Sequence, residues 1–128
     1  MGLRLKTLFK DPEQVTPFLT YLEKRIIHEG EILFRQGDPA NAIYFVELGQ
    51  LSTVIELIGG RTKPVQVFGS GKLIGEVDFY TQAVHQTTAI ADSDSCVYQL
   101  THTALHQMQQ ERPQTAVVFS EMLLSLRS

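Results

Sequence analysis

A glycine followed directly by an acid, Gly75-Glu76, is the pair with the clearest capacity for ligand chemistry in this sequence. It lies where a short apolar segment runs into a polar turn that can become helical. The glycine lets a ligand approach the backbone, and the free amides of such a turn favour an anion. The Glu76 carboxylate can accept a hydrogen bond from a hydroxyl group. The pair therefore predicts a pocket for a sugar-phosphate.

The other chemically capable residues form weaker patterns. His102 and His106 have the i, i+4 spacing of a metal pair on a helix, but no third ligand lies in sequence reach, so a solvated helix face is the simpler interpretation. The sequence has no H-x-H pair of the kind that binds metal in β-roll enzymes, and no arrangement of a nucleophile with a histidine and an acid. Cys96 lies in an apolar segment without a basic cluster, which predicts a buried, inert thiol. We expect no enzymatic activity and no metal.

The composition is typical of one globular domain. The chain has 128 residues, of which 43% are hydrophobic and 20% charged, and its net charge is −3 at pH 7. Interspersed, mildly acidic charge argues against a nucleic-acid-binding surface. The single cysteine excludes an internal disulfide and favours a reducing compartment, and no apolar run reaches the length of a membrane span. We expect one cytoplasmic domain over residues 1–128.

The elements around the pocket fall into three groups. An Asp11/Gln14 capping box and a second start signal at Thr16-Pro17 predict N-terminal helices over residues 11–24. Short β-branched and aromatic segments separated by glycine-rich turns predict an antiparallel β-sandwich or barrel over residues 25–100. The predicted strands are Glu31–Phe34, Ile43–Leu48, Leu51–Leu57, Pro64–Phe68, Leu73–Ile74, Thr87–Ala91 and Cys96–Leu100.

Turn and cap residues refine this order. Gly59-Gly60 predicts a β-hairpin, because tight hairpin turns need positive φ angles. For the C-terminal helices over residues 101–127, Thr101 is a possible N-cap and Pro113 can open the last helix. That helix carries an apolar stripe that fits either a docking surface for a partner or a lid on its own β-barrel. The stripe residues are Phe119, Met122, Leu123 and Leu126.

This order of elements resembles the cyclic-nucleotide-binding domain family, as found in Crp/Fnr-like proteins and kinase regulatory subunits. Gly30–Val54, GEILFRQGDPANAIYFVELGQLSTV, is similar to the family's first signature, and Ile74-Gly75-Glu76 to the start of its phosphate-binding cassette. The helices after Leu100 occupy the place of the hinge and lid helices. The resemblance spans about Leu22 to Leu126 and implies a mainly β fold with flanking helices, an antiparallel β-roll or jelly roll. Within the family, the ELIGGRTK hairpin and the FYTQ step are most similar to the C-terminal cytosolic domain of bacterial SulP-type anion (sulfate) transporters.

The resemblance assigns roles to the cassette residues. In the family, the glycine amide and the glutamate hold the ribose 2′-hydroxyl, and an arginine about nine or ten residues later pairs with the cyclic phosphate. Gly75 and Glu76 match, and Val77 matches an apolar helix position. The arginine position falls on His85 or Gln86, neither of which offers the permanent, bidentate charge of a guanidinium.

Other positions depart from the family as well. Asp78 replaces a small neutral residue, and its carboxylate would satisfy the helix N-terminus and repel a ligand anion. Gln82, Val84 and Thr87 replace Gly, Pro and a small residue, while His85 reads most simply as an exposed loop histidine. The cassette is therefore predicted to be degenerate. The candidate ligand-binding residues are Gly75, Glu76, Val77, Asp78, His85, Gln86 and Thr87.

The leading hypothesis is a non-catalytic regulatory domain that senses a cyclic nucleotide or another small ligand, needs no cofactor, and regulates a SulP-type transporter. Its protein partner would be the transporter body or a second copy of the chain, bound through the C-terminal helix. Contact with a membrane would occur only through the attached transporter. The alternatives are a true cAMP or cGMP sensor, a fragment of a Crp/Fnr-type transcription regulator lacking its DNA-binding part, and an interaction domain whose pocket is filled by its own side chains.

Overall fold

The computed structural model of the chain describes residues 4–9, 11–81 and 83–127 and contains two four-stranded antiparallel sheets. One sheet has the strand order β1-β8-β3-β6 and the other β2-β7-β4-β5. The strands are β1 (Glu23–Ile27), β2 (Ile32–Phe34), β3 (Ala42–Leu48), β4 (Leu51–Glu56), β5 (Thr62–Phe68), β6 (Leu73–Ile74), β7 (Thr88–Ala91) and β8 (Ser95–Thr101). The helices are α1 (Val15–Leu19), α2 (Glu76–Thr81), α3 (His102–Glu111) and α4 (Pro113–Arg127), with 3₁₀ turns at Arg4–Leu8 and Pro12–Gln14.

Strand β3 lies at the centre of the fold because both of its faces are buried. Successive side chains of a strand point to opposite faces. Ile43 and Phe45 pack into a core shared with the helices, whereas Tyr44 and Val46 pack into a second core between the two sheets. The molecule is therefore layered as sheet, sheet and helices, with β3 in the middle.

The predicted fold class, mainly antiparallel β with flanking helices, is confirmed. All seven predicted strands are present, with ends that differ by at most two residues from those expected. The predicted hairpin joins β4 to β5, where the Leu57 N–H donates to the Arg61 carbonyl at 2.7 Å. Gly59 and Gly60 have φ angles of +84° and +78°, as the turn requires.

The N-terminal prediction is wrong beyond Leu19, where α1 ends. Residues from Glu23 form β1, which pairs with β8 from Glu23 opposite Gln99 to Ile27 opposite Ser95. Because only Ile27 of this strand is buried, its sequence carries no alternation of apolar and polar residues. Pro17 does not start a second helix but lies within the first turn of α1, where a missing N–H costs no intrahelical bond.

The C-terminal helices follow the prediction closely. The Ala104 N–H donates to Thr101 Oγ1 at 3.1 Å, which confirms the N-cap, and Pro113 opens α4. The stripe residues Phe119, Met122 and Leu123 are buried, and the Phe119 ring stacks on Phe18 with 5.2 Å between ring centroids. These three side chains thus cover the chain's own core, as expected of a lid, and are not available as a docking surface. The side chain of Leu126 lies outside the description.

Within residues 4–9, 11–81 and 83–127, no helix combines the length and the apolar character needed to cross a bilayer.

Truncating the stripe tests how firmly α4 is docked. Phe119→Ala should lower the free energy of unfolding by about 3–5 kcal/mol, because it leaves a cavity against Phe18. The matched control is Val117→Ala on the exposed face of the same helix, which should change it by no more than about 0.5 kcal/mol. Urea unfolding measures both values. Equal losses would contradict the docking of α4 on the core.

Candidate functional site

A cavity of about 400 Å³ lies where the end of β5, the loop before β6 and the first turn of α2 meet. This volume lies within the range of small-molecule sites in proteins. Nine described residues line it: Gln66, Phe68, Gly71, Lys72, Leu73, Gly75, Glu76, Val77 and Asp78.

Gly75 forms the corner between β6 and α2. Its φ angle is +82°, a value that side-chain-bearing residues rarely adopt. A Cβ atom at this position would stand 3.3 Å from Cε1 of His85, so the close approach of the imidazole also favours glycine. The carbonyl of Gly75 accepts from the Phe79 N–H at 3.0 Å and so closes the first turn of α2. This corner places Glu76, Val77 and Asp78 in the cavity wall.

The Asp78 carboxylate ties α2 to the segment that carries the arginine position. Asp78 Oδ2 accepts from the Gln86 N–H at 3.3 Å and lies 3.7 Å from Nδ1 of His85. This carboxylate was expected to satisfy the N-terminus of α2, but the bond described for it runs to the Gln86 amide. A negative charge is thereby held in the cavity wall.

His85 is buried, and the expectation of an exposed loop histidine is wrong. Only 2% of its surface is exposed, and its ring stacks on Phe34 with 3.6 Å between centroids. The backbone is held as well, since the His85 N–H donates to the Asp38 carbonyl and the His85 carbonyl accepts from the Gly37 N–H, both at 2.8 Å. Burial lowers the pKa of His85 from its ordinary 6.5, although the nearby Asp78 and Asp38 carboxylates oppose the shift. The imidazole is therefore neutral at pH 7.

The structure separates the seven candidate ligand-binding residues into two sets. Gly75, Glu76, Val77 and Asp78 line the cavity, whereas His85, Gln86 and Thr87 are not among its lining residues. Gln86 is exposed, and its side-chain Nε2 donates to the Val84 carbonyl at 3.1 Å. Gln82, at the family's glycine position, lies outside the described residues.

The opposite wall of the cavity consists of residues that were not among the predicted site residues. Gln66 and Phe68 come from β5, and Lys72 precedes β6. Gly69-Ser70-Gly71 is one of the glycine-rich turns that separate the predicted strands, but no local signal linked it or β5 to the cassette. Of the described residues that line the cavity, Lys72 is the only base and Glu76 and Asp78 are the acids, so the lining carries one more negative than positive charge.

The predicted solvated face holds for only one of the two histidines at positions 102 and 106. His102 does not lie on a solvated face: its ring stacks on Phe79 with 3.8 Å between centroids, and its Nε2 lies 3.2 Å from the Ala40 carbonyl oxygen. His106 is exposed. Among the described residues, no group of three or more His, Cys, Asp or Glu side chains could hold a metal ion.

Residues 24–112 match the family model described as the cyclic nucleotide-binding domain. The chain belongs to this family.

The chain is similar to parts of two kinds of protein. It is 28% identical over 126 residues to lysophospholipase nte1 of Aspergillus fumigatus, a match that covers 94% of this chain and 8% of that protein. It is 30% identical over 84 residues to the cyclic AMP receptor protein of Thermus thermophilus, which covers 66% of this chain and 39% of the receptor. The chain therefore spans well under half the length of both relatives.

Solved structures confirm the fold of the domain. The N-terminal domain of a transcriptional regulator from Streptomyces coelicolor matches with a TM-score of 0.81 and 26% identity, covering 98% of this chain and 91% of that one. A cyclic nucleotide-binding domain from Methylobacillus flagellatus matches in fold with a TM-score of 0.85 at 19% identity, covering 97% and 72%. Domains of this family are generally regulatory and non-catalytic.

The buried His85 makes stability depend on pH. Its folded-state pKa lies below 6.5, so the unfolded chain binds the proton more readily. The contribution of the neutral His85 to the free energy of unfolding is therefore complete above about pH 6.5 and is lost as the pH falls below that value. In urea unfolding from about pH 8 to about pH 5, His85→Gln should lose less stability than the wild type. His106→Gln, at an exposed histidine, is the control and should follow the wild type; an unchanged slope in His85→Gln would refute the assignment.

Proposed function

We propose that the chain is a non-catalytic, ligand-sensing regulatory domain whose cavity takes a small hydroxylated ligand without negative charge. The observation that carries this proposal is the Asp78 carboxylate in the cavity wall, hydrogen-bonded to the Gln86 amide. At the positions where the family has its phosphate-pairing arginine, this chain has a buried, neutral imidazole and an exposed amide.

The charge of the cavity opposes a cyclic phosphate. At the effective dielectric near a protein surface, a phosphate oxygen within about 4 Å of the Asp78 carboxylate would be repelled by roughly 4 kcal/mol. Glu76 adds a second negative charge, and Lys72 is exposed, where solvent and salt weaken its attraction. A neutral ligand avoids this cost.

The remaining lining groups suit a ribonucleoside. Glu76 can accept hydrogen bonds from ribose hydroxyls, and the Gln66 amide can both donate and accept. Phe68 and Leu73 supply an apolar wall against which a base can pack. A ribonucleoside combines an apolar ring, several hydroxyls and no net charge, so it matches each part of the cavity.

Helix α2 links the cavity to the C-terminal helices. Its first residues line the cavity, while Phe79 is buried in the core that also contains Met108 of α3 and Phe119 of α4. Phe79 also stacks on His102, the first residue of α3. A ligand that shifts α2 would therefore bias the position of α3 and α4, and through them a bound or attached protein.

Two kinds of protein are candidates for regulation by this domain. The sequence resemblance suggests a cytosolic domain of a SulP-type anion transporter, a hypothesis that the named relatives do not support. The 30% identity to the Thermus receptor and the coverage of the Streptomyces regulator domain favour the second candidate, the sensor part of a Crp/Fnr-type transcription regulator. Both candidates use the same cavity and the same helices.

Thermal unfolding with excess ligand tests the proposed ligand class. Adenosine or guanosine should raise the midpoint more than cAMP or cGMP at equal concentration, because the nucleosides keep their hydroxyls and bring no anion to Asp78. Binding at about a hundredfold above the dissociation constant stabilises the fold by about 2.7 kcal/mol. A larger shift with cAMP or cGMP would mean that the chain is a true cyclic-nucleotide sensor. No shift with any of the four would favour an interaction domain that senses no nucleoside.

Restoring the missing charge tests the reason for the exclusion. The double variant Asp78→Ala/Gln86→Arg should gain stabilisation by cAMP, because it removes the carboxylate from the cavity wall and adds a guanidinium beside it. Glu76→Gln in the same background is the control, and it should weaken the gain if cAMP occupies this cavity. A double variant that stays folded and does not respond to cAMP would show that charge is not what excludes the ligand.

A further inference from the structure

The β4–β5 hairpin ends in an exposed apolar tip. Ile58 is 96% exposed and its neighbour Leu57 is 44% exposed. Gly59 and Gly60 complete the turn without side chains of their own, and the Leu57 N–H bond to the Arg61 carbonyl holds it closed. A fully exposed isoleucine at the end of a protruding hairpin has no role in the core of this domain.

Basic residues follow the tip directly. Arg61 and Lys63 are both exposed; Arg61 closes the turn, and Lys63 lies on β5, the strand that leaves it. The nearby acid, Glu56, is bound into the sheet, because its Oε2 accepts from Thr88 Oγ1 at 2.8 Å and its N–H donates to Gln36 Oε1 at 2.7 Å. Residues 56–63 thus carry two bases and one acid in a chain whose net charge is −3.

We propose that this hairpin docks the domain on an anionic phospholipid bilayer. The tip would place Ile58 and Leu57 at the boundary of the acyl chains, with Arg61 and Lys63 among the head groups. The spacing fits: Lys63 pairs with Ile55, two strand residues before Leu57, and two such residues span about 7 Å. The head-group region of one leaflet is about 5–7 Å thick. Arg61 lies opposite Leu57, and its long side chain can extend back to the head groups. An apolar group flanked by cations is the combination that binds such interfaces.

The shape of the tip favours a bilayer over a protein groove. A convex turn with one protruding side chain needs a complementary pocket in a protein partner, whereas the interface of a bilayer yields to it. If two copies of the chain met through their hairpin tips, the cations of one tip would face and repel those of the other. Docking uses residues outside the cavity lining, so it is independent of the ligand proposal above.

Vesicle flotation of the purified chain tests the proposal with phosphatidylcholine vesicles that contain or lack phosphatidylserine. The chain should float with the phosphatidylserine vesicles and far less with phosphatidylcholine alone, and added salt should release it. Ile58→Glu should weaken binding by about tenfold or more, because it removes the apolar group that enters the bilayer. Arg61→Glu or Lys63→Glu should weaken it by about fivefold or more. Leu124→Glu, at an exposed leucine of α4, is the matched control and should bind as the wild type does.

Four results would overturn the proposal. The first two are no flotation of the folded wild type with phosphatidylserine vesicles and undiminished binding of Ile58→Glu. The other two are an equal loss of binding in Leu124→Glu, and self-association of the chain without vesicles that Ile58→Glu abolishes. The last would identify the hairpin as an interface between copies. Because Ile58 is outside both cores, its variant should unfold at the wild-type midpoint, and this measurement separates lost docking from lost folding.

Discussion

The burial of β3 on both faces is the constraint on which the rest of the structure depends. A strand with two buried faces must be covered twice, by a second sheet on one side and by helices on the other. Tyr44 and Val46 face the sheet β2-β7-β4-β5, while Ile43 and Phe45 face the helical layer. Strand β3 also pairs with β6, which leads through Gly75 into α2. The position of the cavity therefore follows from the position of β3.

The same layering joins the cavity wall to the core of the C-terminal helices. Helix α2 is short, and its first turn lines the cavity while Phe79 enters the helical core. A ligand in the cavity would contact one side of α2, while helices α3 and α4 pack against its other side. Since packed cores are not continuously deformable, a small shift of α2 must be answered by repacking around Phe79.

The chemistry of the site differs from the family pattern through two linked changes. The imidazole of His85 is withdrawn from the cavity onto Phe34, and Asp78 fills the space between α2 and residues 85–86 with a carboxylate. The neutral imidazole supplies no cation where the family has its arginine, and the Asp78 carboxylate adds a negative charge. Together they underlie the proposal that the site takes a neutral, hydroxylated ligand in place of an anion. The glycine at position 75 lets the imidazole approach.

The sequence by itself determined the features whose causes are local. Turn glycines, β-branched segments and the Thr101 cap act over a few residues, so the strands, the hairpin, the C-terminal helices and the Gly75-Glu76 corner could all be predicted. Tertiary structure alone decided the rest. Strand β1 exists because β8, more than sixty residues later, supplies its hydrogen bonds. His85 is buried because Phe34 lies beside it, and Gln66, Phe68 and Lys72 meet α2 only after the sheets have formed. Contacts between distant segments depend on the whole fold, and no local pattern encodes them.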